Sequence, residues 1–324
     1  MEGVSVLAEK WHEAFMNEKR GFRSLLSWAE GLRKEFAVED LLFCGENTGN
    51  YSRKAADYIY GKNYDLWLAN PLEVKRNNPL QRNKTDRADA RMIAEYAMRR
   101  YDKCQLYRSP SKALSNLREL YAYRVRLVNQ RKEETVRTGE KLYTMEKCEA
   151  MTFIRQESKK LVNRYTAAIR KCEEKIKEVL ESEEELRETY EILTSMPGVG
   201  LQTAVCLIVY TENFSKFEYD ARRLACFFGV APFGKESGTS VKVSPHVSRY
   251  CCTSIKASLH EPALCAVRFE PNMRAYYQRL IAKGKPHLLA LNNVKSKMLH
   301  ILMAMMRNRQ MYDPAYRSPL STCA

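Results

Sequence analysis

The stretch Lys84-Thr85-Asp86-Arg87-Ala88-Asp89-Ala90, taken with Glu46 upstream, decides how this chain is read. Asp86 and Asp89 stand at i and i+3. With a helix starting over Ala88 to Ala97, both carboxylates leave one face of its first turn. Two acids so placed repel each other unless a cation lies between them, and hard oxygen ligands of this kind suit Mg²⁺. Glu46 ends an apolar, strand-like run, Leu41-Leu42-Phe43-Cys44-Gly45, and offers a third carboxylate for the same point. The alternative is structural: an Asp near a helix N-terminus caps it and favours its dipole. Spacing alone leaves both readings open.

Around that stretch, residues 1–110 alternate in an α/β manner. Val4 to Leu7 and Trp11 to Phe15 read as two short strands, and Phe22 to Leu32 has helical spacing at Phe22, Leu25, Leu26 and Ala29. Leu41 to Cys44 is a buried strand, Asn47 to Asn50 a helix-entry turn, Tyr51 to Tyr60 a helix, and Tyr64 to Ala69 a strand ending at Asn70-Pro71. Such an order predicts a sheet with helices packed on it.

The 324 residues suffice for two or three domains, and 45% apolar with 29% charged residues marks a globular protein. The net charge of +15 favours a polyanionic partner, most simply nucleic acid. Ten cysteines occur without a C-x-x-C pair, a usage that points to a reducing cytoplasm rather than to disulfides or zinc. No basic-then-apolar leader and no apolar run near 18 residues is present, so the expected protein is soluble, intracellular and free of the membrane.

Residues 111–193 change character. Leu114, Leu117, Tyr121, Val125 and Val128, then Leu161, Tyr165, Ile169, Cys172, Ile176 and Val179, recur at spacings of three and four. Two long helices folded back as an antiparallel coiled-coil arm are predicted. Arg99 to Arg137 holds eleven Lys/Arg against four Asp/Glu. That basic face is either an interaction surface or merely solvated.

Residues 194–324 read as a mainly helical domain. Met196-Pro197-Gly198-Val199-Gly200 opens it as a hairpin between helices, where backbone N–H groups of Gly198 and Gly200 can hold a phosphate or simply stop one helix and start the next. Helices are predicted over Leu201–Tyr210, Arg222–Phe228, Ser254–Phe269, Met273–Lys283 and Leu288–Arg307, the last with a buried stripe of Leu291, Val294, Met298, Ile301, Leu302 and Met305. Phe233 to Ser240 is read as a polar loop. Among Ser237, Ser240, Ser244, Ser248 and Ser254, Ser237 best suits attack on a phosphodiester, being Gly-adjacent and flanked by Lys235 and Lys242. A surface serine in a polar turn is the open alternative.

Glu46-Asn47-Thr48-Gly49-Asn50-Tyr51, then Lys84 to Arg91, Met196 to Gly200, and Pro232 with Ser237-Gly238 follow one another in an order that resembles the DEDD-type transposases of bacterial insertion sequences (insertion sequence family 110), relatives of pilin-gene invertases. The likeness covers nearly the whole chain. It implies an α/β plus all-α protein: a RuvC-like, ribonuclease-H-fold catalytic domain at 1–110, a coiled-coil arm at 111–193, and a C-terminal transposase domain at 194–324 with a helix-hairpin-helix-like start and a serine loop.

By the same resemblance, Glu46, Asp86 and Asp89 hold Mg²⁺, two ions in a complete site, and Ser237 is the nucleophile of a covalent serine–DNA link. The family's partner is a structured guide (bridge) RNA; from charge alone, Arg124, Arg126, Arg131 and Lys132 are candidates to contact it, and Lys84, Arg87 and Lys235 are candidates to neutralise phosphates. Donor and target DNA are the substrates, and a dimer assembles to a tetramer on DNA. An invertase of the same family and a binding-only protein are the other readings.

The family pattern begins with an Asp-bearing strand, and Glu2 and Glu9 do not match it. The expectation is that this strand lies upstream of Met1, through a late-assigned start or a decayed copy, and that the chain as written binds Mg²⁺ weakly and cleaves poorly.

Overall fold

The computed structural model describes residues 12–77, 85–144, 149–237, 241–247, 251 and 253–315. The chain divides into two compact units, Met1–Ser109 and Pro110–Ala324.

In the first unit two short strands are clamped between helices. Helix α1 (Lys19–Glu35) buries Phe22, Leu26 and Ala29, the predicted 3–4 spacing. Strand β1 (Leu42–Glu46), helix α2 (Asn50–Tyr60) and strand β2 (Asp65–Ala69) follow, and the strands pair in parallel with Leu42 opposite Asp65 and Glu46 opposite Ala69. Parity then sorts the side chains. Phe43, Leu66 and Leu68 face α1 and α2 through Leu26, Ala56 and Ile59. Leu42, Cys44, Trp67 and Ala69 face the opposite way, onto helices α3 (Pro71–Asn77) and α4 (Asp86–Arg99) through Val74, Met92, Ile93 and Tyr96. The free edge of β2 is covered by Leu106, bridged to Trp67, and by the Tyr107 N–H, which donates to the Leu66 carbonyl at 2.6 Å.

One expectation fails here. His12 to Met16 form no strand. The Met16 carbonyl presses into the first turn of α1, against Gly21, where any Cβ would lie 2.0 Å from the Met16 oxygen. Phe15 packs on Trp28 of the same helix, ring centroids 5.7 Å apart. A segment folded back on its own helix cannot also pair as a strand. Val4 to Leu7 lie outside the described residues.

The second unit begins with α5 (Lys112–Thr144) and α6 (Glu149–Glu181), an antiparallel pair. Partners run in opposite directions along it: Ser111 to Glu183, the Cys172 thiol to the Leu120 carbonyl, Arg124 to Glu173, and Ser158 to Glu134. Leu114, Leu117, Leu127, Ile169, Cys172, Ile176, Val179 and Leu180 fill the seam. Leu161 stands outside it at 39% exposure, and farther along Ser158 takes a buried place instead.

Helix α7 (Glu184–Thr194) and the turn to Gly200 lead into α8 (Leu201–Thr211), apolar on all sides and almost wholly buried, as a central helix must be. Around it stand α9 (Ala221–Phe227), a hairpin of β3 (Pro232–Ser237) and β4 (Val241–Val247), α10 (Thr253–Ser258), α11 (His260–Phe269), α12 (Pro271–Ala282) and α13 (His287–Asn308). In α13 the predicted stripe is buried, Ile301 partly so, and its methionines are core.

Two further corrections follow. The helix expected over Ser254–Phe269 breaks between Ser258 and His260. Pro262 lacks an N–H to give to Ser258 and its ring clashes with that carbonyl, so the ladder restarts with Pro262 in a first turn. The stretch expected as a polar loop is strand β3 through Ser237, paired antiparallel to β4 with a register shift between Phe233 and Lys235. Val241, Val243 and Val247 supply the alternating β-branched partners. A two-stranded ribbon is edge on both sides, which is why it accommodates Pro232 and Pro245.

Candidate active site

Glu46 ends β1 with the parity of Leu42 and Cys44, so it belongs to the face covered by α4. Its end of the strand is fastened by the Asn47 N–H, which donates to the Ala69 carbonyl at 2.9 Å. On α4, Asp86 and Asp89 fall on the stripe continued by Met92, Ile93 and Tyr96, the side packed against the sheet. The direction of α4 brings these features to one end. Tyr101 and Cys104, just past its C-terminus, line one hollow with Leu42 and Asp65 at the start of both strands. The first turn of α4 is therefore directed toward the strand ends, where Glu46 sits.

Capping does not engage the two aspartates. Thr85 Oγ1 accepts the Ala88 N–H at 3.2 Å and is the N-cap. The Thr85-x-x-Ala88 spacing was the available sign of this. Asp86 is exposed, while Asp89 and Glu46 are half-buried. None of the three carboxylates has a hydrogen bond or ion pair among the described residues. The donor set fits a hard divalent ion in kind, face and end of the sheet. It does not close by itself: among the described residues, no three His, Cys, Asp or Glu are gathered closely enough to hold a metal.

Below Glu46, the Cys44 thiol is pushed up to about 11, chiefly by burial and then by Cys104. It is an inert floor rather than a ligand at neutral pH. Asp57 is occupied elsewhere, accepting from the Tyr107 hydroxyl at 2.6 Å and Ser109 at 2.9 Å. Lys84 lies outside the described residues. Arg87, between the two acids, is exposed and engaged in an interaction of its own.

Ser237 belongs to the second unit. It closes β3 opposite Val241, at the turn end of the hairpin, with Lys235 two residues before it on the same strand opposite Val243. The basic residues of the arm separate. Arg124 is engaged inside the helix pair: its Nε donates to Glu173 at 2.8 Å, and the Gln202 amide donates to the same oxygen at 3.0 Å. Arg126 and Lys132 are exposed and Arg131 half-buried, Arg126 resting over the Tyr123 ring at 5.1 Å.

The two hairpin glycines also differ. Gly198 has φ +95°, and a Cβ there would lie 2.5 Å from the Pro262 carbonyl oxygen and 3.0 Å from the Ala266 nitrogen. It is needed where the turn seats against α11, a role a reading from sequence cannot see. Gly200 is exposed, precedes α8 as its N-cap, and has open space around it.

Comparison with known proteins finds matches in both units. Residues 6–145 match the DEDD transposase domain of insertion element IS110, described as "Transposase", and residues 190–278 match the "Transposase IS116/IS110/IS902 family". The chain is 36% identical over 122 residues to the 43.6 kDa protein of insertion element IS110 from Streptomyces coelicolor, covering 38% of this chain and 30% of that one. It is 23% identical over 306 residues to the pilin gene-inverting protein of Moraxella bovis, covering 92% of this chain and 89% of that one. With the 42 kDa protein of insertion element IS900 from Mycobacterium paratuberculosis the identity is 32% over 125 residues, 39% of this chain and 31% of that one. The chain thus aligns with under a third of these two insertion-element proteins' lengths and with most of the pilin gene-inverting protein. Among the described residues, no helix is long and apolar enough to cross a membrane.

Proposed function

We propose that this chain, which belongs to the IS110 family of transposases, cuts and rejoins DNA as a recombinase of the cytoplasm, its first unit a RuvC-like, ribonuclease-H-type nuclease. What supports the reading is that Glu46 shares the strand face covered by α4, that Asp86 and Asp89 stand in the first turn of that helix, and that Thr85 rather than either aspartate caps it. Magnesium held by these three residues would polarise a phosphodiester and stabilise charge on its oxygens.

The protein's own part begins with Ser237. Its Oγ loses a proton and forms a bond to phosphorus, while the bond from phosphorus to a deoxyribose oxygen breaks and that oxygen takes up a proton. The diester becomes a serine phosphodiester of equal bond count, so rejoining is the same step reversed and needs no external energy source. Lys84, Arg87 and Lys235 neutralise phosphates near the reacting group. The exposed Arg126 and Lys132, with Arg131, offer the arm's basic face to a structured guide RNA, whose pairing would choose donor and target. The arm acts as a coiled coil joining two copies, and two such dimers meet on DNA. A second reading is inversion of a fixed segment, favoured by the near full-length match to the pilin gene-inverting protein.

The test incubates the protein with junction DNA, the neighbouring RNA and Mg²⁺, followed by a denaturing gel. A covalent protein–DNA band lost in Ser237→Ala and in Asp89→Asn supports the proposal. A band retained in Ser237→Ala refutes the serine.

A further inference from the structure

At the base of the β3–β4 hairpin, away from its serine end, lies a hollow lined by His246, Lys256, His260, Asn293 and Lys295 with an apolar margin. Lys295 is its unusual member. It stands on the buried stripe of α13, one residue from Val294, and is only 8% exposed. Among the described residues its ammonium has no carboxylate and no hydrogen-bond partner, and its charged neighbour is a second lysine, Lys256. Among the described residues, no acid lines the hollow.

The stem of Lys295 is buried while its ammonium opens to the hollow, and two cations sharing one hollow are costly unless an anion supplies the balance. Burial and Lys256 together hold the Lys295 ammonium below the usual lysine range, as expected of a cation without its counter-charge. The first turn of α13 reaches the same hollow through Leu288 and Leu289, with no acid in that turn. Its unpaired N–H groups and the positive end of a 22-residue helix add to the field for an anion. Leu288, 71% exposed, and Leu289 form an apolar lip beside the cations. A lip of that kind suits a sugar attached to the anion better than a small free ion.

We propose that this hollow binds one backbone phosphate of a nucleic acid, held by Lys295 and Lys256, with the adjoining sugar against Leu288 and Leu289. The inference rests on the recombinase reading for its ligand class. It gives the second unit a phosphate anchor at the fixed base of the hairpin, so that the strand entering the serine end is held at a second point.

The test uses the full chain, a short labelled DNA duplex and fluorescence anisotropy across a salt series, for wild type, Lys295→Met and Lys256→Gln. Each variant is expected to bind roughly tenfold more weakly at about 0.15 M salt and to show a log–log salt slope shallower by about 0.9, one phosphate contact fewer. Lys295→Met is expected to melt no lower than wild type, since it keeps the buried stem and removes an unpaired charge, and Lys256→Gln carries the test should Lys295→Met fail to fold. Inorganic phosphate serves as the second probe. Thermal protection by phosphate that vanishes in the variants, together with the weakened duplex binding, supports the anchor. Lost phosphate protection with unchanged duplex affinity and slope would mean a free-ion site and overturn it, as would unchanged affinity and slope without any phosphate effect. Wild type that binds no duplex at all would instead count against the recombinase reading itself.

Discussion

Replacing Gly198 by alanine separates a packing turn from a phosphate-binding one. At φ +95° an L side chain carries a backbone cost of about 1–2 kcal/mol. The new methyl group would also meet two backbone atoms of α11, the Pro262 oxygen at 2.5 Å and the Ala266 nitrogen at 3.0 Å, neither of which can swing away as a side-chain tip would. Shifting a packed helix to make room costs about 1–3 kcal/mol more. The expected loss for Gly198→Ala is therefore about 3 kcal/mol, or roughly 6–12 °C in melting temperature for a unit of this size. Gly200→Ala, with nothing within 4 Å of its Cβ, is expected to cost about 0.5 kcal/mol through a poorer N-cap. Urea unfolding followed by far-ultraviolet circular dichroism reads the helical second unit. Trp11, Trp28 and Trp67 all lie in the first unit, so tryptophan fluorescence gives an internal control that neither variant should move. Equal losses for the two variants, within about 1 kcal/mol of each other, would refute the assignment of Gly198 to packing.

Other expectations are as direct. A double-mutant cycle on Arg124 and Glu173, a partly buried pair at 2.8 Å that also serves Gln202, should give a coupling of about 1 kcal/mol, whereas the exposed Lys175 and Glu178 should give close to zero. Glu46→Gln and Asp86→Asn should each abolish strand cleavage while leaving duplex affinity within about twofold, read by gel and by anisotropy; parallel loss of affinity would place these acids in binding. The Cys44 thiol, raised by burial to about 11, should resist alkylation at pH 8 in the folded protein. Because its folded value lies above its unfolded one, the stability it contributes is complete below about pH 9 and lost as pH climbs through about 11. A Cys44→Ala variant should therefore show a flatter stability profile over that alkaline window, and an unchanged profile would remove Cys44 as its source.

What the sequence made legible is what local chemistry decides. The spacing of Phe22, Leu26 and Ala29, the apolar run closed by Glu46, and the stripe of α13 each appear in the structure where their periods put them. Three features escaped because their causes are distant or compete. The strand expected near Phe15 lost to a ring contact with Trp28 and to a carbonyl seated on Gly21. The hairpin was hidden by Gly234 and the charges of β3, and only pairing with the valines of β4 makes a strand of it. Gly198 stayed open between a phosphate turn and a helix stop because its packing partners, Pro262 and Ala266, lie more than sixty positions onward. Lys295 was not singled out from the sequence, although its place four residues after Leu291 and three before Met298 puts it on the apolar stripe.

The paired helices α5 and α6 have an electrostatic consequence of their own. Each has 33 residues, so the pair extends roughly 50 Å. At physiological ionic strength the screening length is about 8 Å, so charges at opposite ends of the helix pair are separated by some six decay lengths and do not sense each other. The two ends of such an arm therefore titrate and repel independently at that ionic strength. At about 0.01 M salt, where screening extends to about 30 Å, that independence weakens, and the two ends begin to behave as one charged object.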